Sequence, residues 1–231
     1  MIRKKKLIAI IPVRKNSLGI KNKNLILLKN KSLLERTIIL SKKNKFIDQT
    51  IVSTNCSKMF EISKKYNCNS KKLRPNYLSE KYALTIDVIK HEIKINKLDD
   101  VFILLLQVTS PFRSQLLTNK FLNKFNKFRK YLSSVSVTKF DHPHPHKVQL
   151  IKNNKLISML KKESMVPRQK LPAVYAPNGL FYITHCNNIL KNNSFFSKST
   201  LPFLVKKPFS LNLDSNLDLY LMKALEEYAE D

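Results

Sequence analysis

Short, wholly apolar runs along this chain alternate with longer stretches whose apolar residues recur every three or four positions. Leu7 to Pro12 is too short for a helix and has no polar face, which predicts a strand covered on both sides. Ser32 to Ser41 reads as an amphipathic helix, Gln49 to Thr54 as a second, β-branched strand, and the stretch through Met59, Ile62 and Tyr66 as a further helix. Ala83 to Ile95 sets Ile86, Ile89 and Ile93 at helical spacing, with Lys90, Glu92 and Lys94 facing elsewhere. Val101 to Leu106 is the most apolar strand and belongs at the centre of a sheet. This alternation predicts a parallel α/β sheet with right-handed crossovers.

The rhythm changes after the strand Ser133 to Thr138. His142 to Leu160 holds prolines and two short β-like stretches but no helical period, which predicts an inserted hairpin. The sheet resumes at Gly179 to Thr184, and an amphipathic helix, Leu217 to Tyr228, follows near the end. With no internal repeat or linker in the sequence, residues 1–231 read as one domain with an excursion.

At 231 residues with 43% hydrophobic content the chain can bury a large core, so its net charge of +27 does not make it a disordered polycation. Clustered cations would point to nucleic acid. Here 36 of the 43 basic residues are Lys, dispersed along the chain, without a zinc-finger, heptad or aromatic RNA-binding pattern. No specific nucleic-acid partner is expected, and no membrane partner, since no apolar run approaches the roughly 18 residues that span a bilayer. The basic start and the apolar stretch after it have the outline of a signal peptide. Pro12, Arg14 and the lack of a small-residue cleavage site favour a buried strand. Cys56, Cys68 and Cys186 form no CxxC pair, which fits a reducing, cytoplasmic setting. The chain has two glycines, Gly19 and Gly179, where average usage would give about 16.

Ligands of parallel sheets bind beyond the carboxyl ends of the strands. After the first strand, Val13 to Asn24 combines Gly19, Ser17, Asn16, Asn22 and Asn24 with Arg14, Lys15, Lys21 and Lys23, the donors and charge that a phosphate chain requires. The segment is neither GxGxxG nor GxxxxGK[ST], and a merely basic surface loop is the alternative reading. Leu104 to Arg113 ends the central strand in Gln107, Thr109 and Ser110, polar groups placed to read a sugar or a base. Pro167 to Tyr182 carries the Asn178-Gly179 turn. Leu211 to Asp218 sets Asn212 and Asp214 on alternate positions, a candidate metal pair. His142, His144 and His146 share one face of an extended segment and invite zinc, but no Cys or further His nearby completes the set.

In this order the segments resemble the acylneuraminate cytidylyltransferases, or CMP-sialic acid synthetases, over nearly the whole chain. Val13 to Gly19 with Lys23 and Asn24 is similar to that family's first motif, Ala-Arg-x-x-Ser-Lys-Gly followed by Lys-Asn. Leu73-Arg74-Pro75, Leu105 to Arg113, Pro167 to Gly179 and Asn212 to Asp218 are similar to its later ones. The resemblance implies an α/β fold with a mostly parallel, Rossmann-like sheet of the mononucleotide-binding type seen in nucleotide-diphospho-sugar transferases. It also implies an excursion, at about residues 142–175, that pairs two copies and lends residues to the partner's site. The implied reaction is Mg²⁺-dependent. The anomeric hydroxyl of a nonulosonic acid (a nine-carbon acidic sugar of sialic, legionaminic or pseudaminic type) attacks the α-phosphorus of CTP and releases pyrophosphate, for surface glycan synthesis. Such chemistry rests on positioning and charge neutralisation.

Carried over residue by residue, the resemblance assigns Arg14, Ser17 and Lys23 to the triphosphate and Asn24, Arg74 and Thr85 to the cytidine side, with Asn16 and Ser110 also at the nucleotide. Gln107, Lys147, Arg168, Asn178, Tyr182, Phe195 and Phe196 would face the sugar, although the two phenylalanines taken alone read as core. Asp214 and Asn212 would hold Mg²⁺, and Arg14, Lys23, Gln107 and Asp214 would carry the catalysis. The chain departs from the pattern at Leu18 (family Lys), Asn212 (Asp), Lys81-Tyr82 (Asp-Thr) and Ala176 (Arg). A Kdo-activating enzyme, which would take an eight-carbon acid, and a paralogue that binds nucleotide without turnover are the alternatives.

Overall fold

In the computed structural model, which describes residues 1–15, 19–140, 142–160 and 166–228 without the Arg168 side chain, the first strand β1 (Leu7–Val13) lies between two apolar layers. Its alternation decides which residue goes where. Leu7, Ala9, Ile11 and Val13 join the larger core, while Ile8 and Ile10 join the smaller one. After the short β2 (Leu27–Leu28) and β3 (Lys31–Ser32), α1 (Leu33–Lys43) starts at a capping box in which Ser32 and Glu35 satisfy each other's backbone N–H groups. β4 (Gln49–Thr54), α2 (Ser57–Lys65), α3 (Thr85–Ile95), β5 (Phe102–Leu105) and α4 (Gln115–Lys127) follow. Leu33, Leu34 and Ile38 of α1 and Phe121, Leu122 and Phe125 of α4 build the larger core; Ile89 and Ile93 of α3 build the smaller.

The remaining elements are β6 (Ser133–Lys139), β7 (Gln149–Lys152), β8 (Lys155–Ser158), β9 (Tyr175–His185), α5 (Cys186–Asn192), β10 (Thr200–Leu204) and α6 (Asn216–Ala224). The six-stranded sheet has the order β10-β6-β9-β5-β1-β4. β1 runs parallel to β4 and β5, and β10 runs parallel to β6. The mostly parallel sheet expected from the sequence is therefore present, and β9, where the chain returns to the sheet as expected, is antiparallel to both of its neighbours.

β7 and β8 form the expected hairpin, turned at Asn153 and Asn154, whose φ values of 49° and 60° match the geometry that two-residue hairpins require. Leu150, Ile151, Leu156 and Ile157 on it are exposed. Five elements were not foreseen: β2, β3, α4, α5 and β10. β10 contains Pro202, which cannot donate to a ladder and is tolerated because this strand forms an edge of the sheet.

Candidate active site

The carboxyl ends of β1 and β5 open on a cleft of about 490 Å³. Its walls are set by hydrogen bonds between loops. Arg74, only 5% exposed, donates from Nη2 to the Val13 carbonyl (3.1 Å) and from Nε to Ser79 Oγ (2.9 Å), which ties the segment between α2 and α3 to the end of β1. Burial brings the Arg74 guanidinium down to about 10, with the charge of Glu92 opposing the shift and that of Arg14 adding to it. Asn24 Nδ2 donates to the Arg14 carbonyl (3.0 Å), folding the Val13–Asn24 segment back on itself, and Arg14 Nη1 donates to the Glu80 carbonyl (2.9 Å). Arg14, Lys23, Asn24, Arg74, Thr85 at the start of α3, Gln107, Asn212 and Asp214 all line this one cleft.

The segment Asn212–Asp214 forms its far wall, held by Leu213 N–H donating to the Thr109 carbonyl (2.8 Å). Lys23 Nζ donates to the Leu213 carbonyl (2.6 Å) and to Asp214 Oδ1 (3.1 Å), and Asn212 Nδ2 donates to Asp214 Oδ2. Asp218 caps α6, accepting from the Asp214 and Ser215 backbones at 3.0 and 2.7 Å. Its desolvation favours the neutral acid, but hydrogen bonds from Ser215 and Asp214 and the charge of Lys23 outweigh it and hold the carboxyl below its ordinary range. Both glycines approach this segment. A Cβ on Gly19 would lie 2.3 Å from the Asp214 carbonyl oxygen. Gly179, at φ +82°, would place one 2.7 Å from Gln107 Oε1 and 3.4 Å from Asn212 Oδ1.

The donor set suits a hard divalent cation. Asn212 Oδ1 is buried without a hydrogen-bond partner beside the Asp214 carboxylate, and both groups offer oxygen. Among the described residues no group of three or more His, Cys, Asp or Glu gathers as a metal site, and the zinc reading of the histidines is dropped. His144 and His146 stack at 5.4 Å, with His144 Nε2 3.0 Å from the Pro172 carbonyl.

A second cleft, of about 570 Å³, adjoins the first and shares Gln107 and Asn212 with it. It exists because the β6–β9 register breaks: Val135 pairs with Tyr182 and Val137 with Pro177, so Asn178 to Phe181 bulge opposite Ser136. Ser136 Oγ donates to Asn178 Oδ1 (2.6 Å) and accepts from Phe181 N–H (2.9 Å), while Asn178 Nδ2 donates to Thr138 Oγ1 (2.9 Å). Asn178 thus lines the cleft as the fastener of its wall. Tyr182 also lines it, its phenol pushed up by burial with a backbone hydrogen bond from Gly179 opposing.

Not every residue expected at the site comes to it. Phe195 is buried in the smaller core, 5.8 Å from the Tyr182 ring, and Phe196 is 48% exposed outside both clefts. Lys147 ends a 3-10 turn in the excursion and lines neither cleft of its own chain. Ser110 is buried, its Oγ unpartnered and turned toward Gly179. Asn16, Ser17, Leu18 and the Arg168 side chain lie outside the described residues. Three contributors went unseen. Arg113 is 7% exposed, and burial brings it down to about 9. It donates to the Gln107 carbonyl (2.6 Å) and the Leu180 carbonyl (3.1 Å), joining the end of β5 to the bulge of β9. Lys139 and Lys207 line the second cleft. Position gave a signal for Lys207, five residues before Asn212, but lysine is too abundant here to stand out.

Residues 8–231 match the family model described as cytidylyltransferase. The N-acylneuraminate cytidylyltransferase of Escherichia coli O18:K1:H7 is 29% identical over 222 residues, 96% of this chain and 52% of that protein. The CMP-N,N'-diacetyllegionaminic acid synthase of Legionella pneumophila is 27% identical over 230 residues, 98% of each chain. The chain thus spans about half the length of the N-acylneuraminate enzymes it matches and nearly all of the legionaminic one. In fold it is similar to CMP:2-keto-3-deoxy-manno-octonic acid synthetase complexed with CTP, with a TM-score of 0.69 and 14% identity over 96% of this chain and 98% of that one. Motif residues Arg14, Lys23, Asn24, Arg74, Gln107 and Asp214 line one cleft, and the match of nearly the whole chain to the family model shows that this chain belongs to the cytidylyltransferase family.

Proposed function

We propose that this protein transfers CMP from CTP to the anomeric hydroxyl of a nonulosonic acid, with release of pyrophosphate. The observation that carries the reading is the pair of adjoining clefts that meet at Gln107 and Asn212. One is walled by Arg14, Lys23 and Arg74 and suits a triphosphate; the other has the size of a sugar site. Arg14 and Lys23 neutralise the phosphates, Asn24, Arg74 and Thr85 line the nucleoside side, and Gln107 sits where the two substrates meet. The sugar oxygen bonds to the α-phosphorus as the bond to the pyrophosphate oxygen breaks, a displacement that needs alignment and charge neutralisation rather than an enzyme nucleophile. Asp214 with Asn212 would hold Mg²⁺, which supplies charge neutralisation on the phosphates when bound.

The protein acts as a homodimer through the excursion, a reading supported by the exposed Leu150, Ile151, Leu156 and Ile157 of the hairpin, and that contact would carry Lys147 and Arg168 toward the partner's sugar cleft. Its three free thiols are in keeping with the cytoplasm. Among the described residues no helix is long and apolar enough to cross a membrane.

The test is pyrophosphate release from CTP and Mg²⁺ with a panel of sialic, legionaminic and pseudaminic acids and the eight-carbon Kdo. Turnover of at least one nine-carbon acid is expected. Turnover of Kdo alone, or CTP binding without turnover of any sugar, overturns the reading.

A further inference from the structure

Glu92 on α3 is a buried acid that the transfer reaction has not yet used. Helical spacing groups it with Lys90 and Lys94, away from the apolar stripe, yet it is fully buried. It follows Val88 by four residues and Ile89 by three, and so shares their side of the helix. Thr85 and Val88 line the first cleft, and Glu92 lies one turn further along the same face. Its Oε2 accepts from Ser70 Oγ (2.5 Å) and Asn96 Nδ2 (2.9 Å), while its Oε1 is buried without a hydrogen-bond partner. Ser70 belongs to residues 68–74, which run beside β4. Val52 N–H donates to the Cys68 carbonyl (2.7 Å), Ser70 N–H to the Val52 carbonyl (3.3 Å) and Arg74 N–H to the Thr54 carbonyl (2.7 Å). Glu92 therefore fastens to α3 the same short stretch that ends in Arg74.

Burying a carboxylate with one oxygen unpartnered is unfavourable unless a cation compensates it, and in an interior such compensation is weakly screened. Arg74 is the buried cation at hand. Its hydrogen bonds go to the neutral oxygens of Val13 and Ser79, and among the described residues no carboxylate forms a direct ion pair with it. Burial lowers its guanidinium, and the charge of Glu92 opposes that fall. Resting on the transfer reading, which puts a nucleotide in the first cleft, we infer that Glu92 is a positioning residue: it ties residues 68–74 to α3 and acts through space as the counter-charge of Arg74, so that this cation stands ordered on the nucleoside side. Both charges are desolvated, and removing either one strands the other.

The experiment is a double-mutant cycle over Glu92→Gln, Arg74→Met and the double variant, read as Kd for CTP by titration calorimetry, KM for the sugar acid and Tm. Glu92→Gln keeps the length of the side chain and an oxygen for Ser70 but loses the charge. It should weaken CTP binding about tenfold and lower Tm, with the KM for the sugar acid within about twofold of wild type. In the Arg74→Met background the same change should alter CTP affinity by less than about twofold and raise Tm, since it removes a carboxylate already stranded without its cation. A residue that merely packed α3 would cost the same in either background. Additive losses of CTP affinity overturn the inference, and so does unchanged CTP affinity in Glu92→Gln. Should Glu92→Gln fail to fold, the double variant should fold as Arg74→Met does, and an unfolded double variant beside a folded Arg74→Met overturns the inference as well. Wild-type protein that binds CTP and turns over no sugar overturns the transfer reading alone, because CTP affinity still decides the role of Glu92.

Discussion

Gly19→Ala is a test of how the site is held together. The backbone of Gly19 has no positive φ, so alanine meets no conformational penalty there and the whole effect is steric. The new Cβ would stand 2.3 Å from the Asp214 carbonyl oxygen, where ordinary contact begins near 3.4 Å, a deficit of about 1.1 Å. Neither party is a flexible side chain: one is the loop after β1, the other the backbone that carries Asp214. Gly19 itself is exposed, so the displacement costs little core packing, and unfolding stability should change by less than about 1 kcal/mol, roughly 2–4 °C in Tm for a chain of this size. The reaction should suffer far more. A misplacement of about 1 Å among reacting groups costs on the order of a hundredfold, equivalent to about 2.7 kcal/mol of transition-state stabilisation. Pyrophosphate release at varied CTP and sugar, with Tm from calorimetry, reads both quantities. Wild-type kcat/KM in Gly19→Ala would refute the claim that this contact places Asp214, and a fall in Tm above about 8 °C would make the contact a structural one.

Arg113→Met leaves the buried carbonyls of Gln107 and Leu180 without their donor and should cost about 3 kcal/mol, read from urea midpoints; a loss under about 1 kcal/mol contradicts its bridging role. Asp218 is held below the ordinary carboxyl value near 3.9, so its contribution to stability is complete at neutral pH and disappears as pH falls through its lower folded value. Asp218→Asn should therefore unfold more readily than wild type at pH 7 and equally at about pH 2, and a difference that persists in acid would contradict the assignment. Asn212→Asp adds charge beside Asp214, so the variant should be less stable than wild type in chelator and gain more Tm on titration with Mg²⁺. An unchanged Mg²⁺ midpoint would remove residue 212 from the metal set.

Much of the scaffold was readable because burial imposes its own period. β1 and β5 are covered on both faces and announce themselves as unbroken apolar runs, β4 shows itself by its β-branched residues, and α1 and α3 bury one stripe. The misses have physical causes. α4 has Phe121, Leu122 and Phe125 on its buried side, but Lys and Asn fill the rest and blur the pattern. The direction of β9 and its four-residue bulge depend on Ser136, Asn178 and Thr138 meeting across strands, information held at long range and not in any local period. The wall of the first cleft was legible through its motifs, whereas Phe195 shows the weakness of such transfer: an aromatic expected at the sugar is packed into the core beside Tyr182. Lys139 and Lys207 were hidden by composition, since one lysine among 36 carries no contrast.

The scarcity of glycine and the excess of lysine turn out to bear on one segment. Both positions at which this chain has glycine are tight and both touch residues 212–214: a Cβ at Gly19 would meet the Asp214 carbonyl at 2.3 Å, while one at Gly179, where φ is +82°, would meet Gln107 Oε1 at 2.7 Å with Asn212 Oδ1 in ordinary contact at 3.4 Å. Lys23 grips the same segment from the first cleft, and Lys207 precedes it beside the second. Residues 212–214 therefore form the hub through which the loop after β1, the end of β5 and the bulge of β9 fix one another, so a change at any of the three contacts should reach both clefts together. Most of the net charge has no such engagement. Of the cations in the first cleft, Lys23 is held by this segment and Arg14 and Arg74 by the Glu80 and Val13 carbonyls, contacts that net charge alone could not reveal.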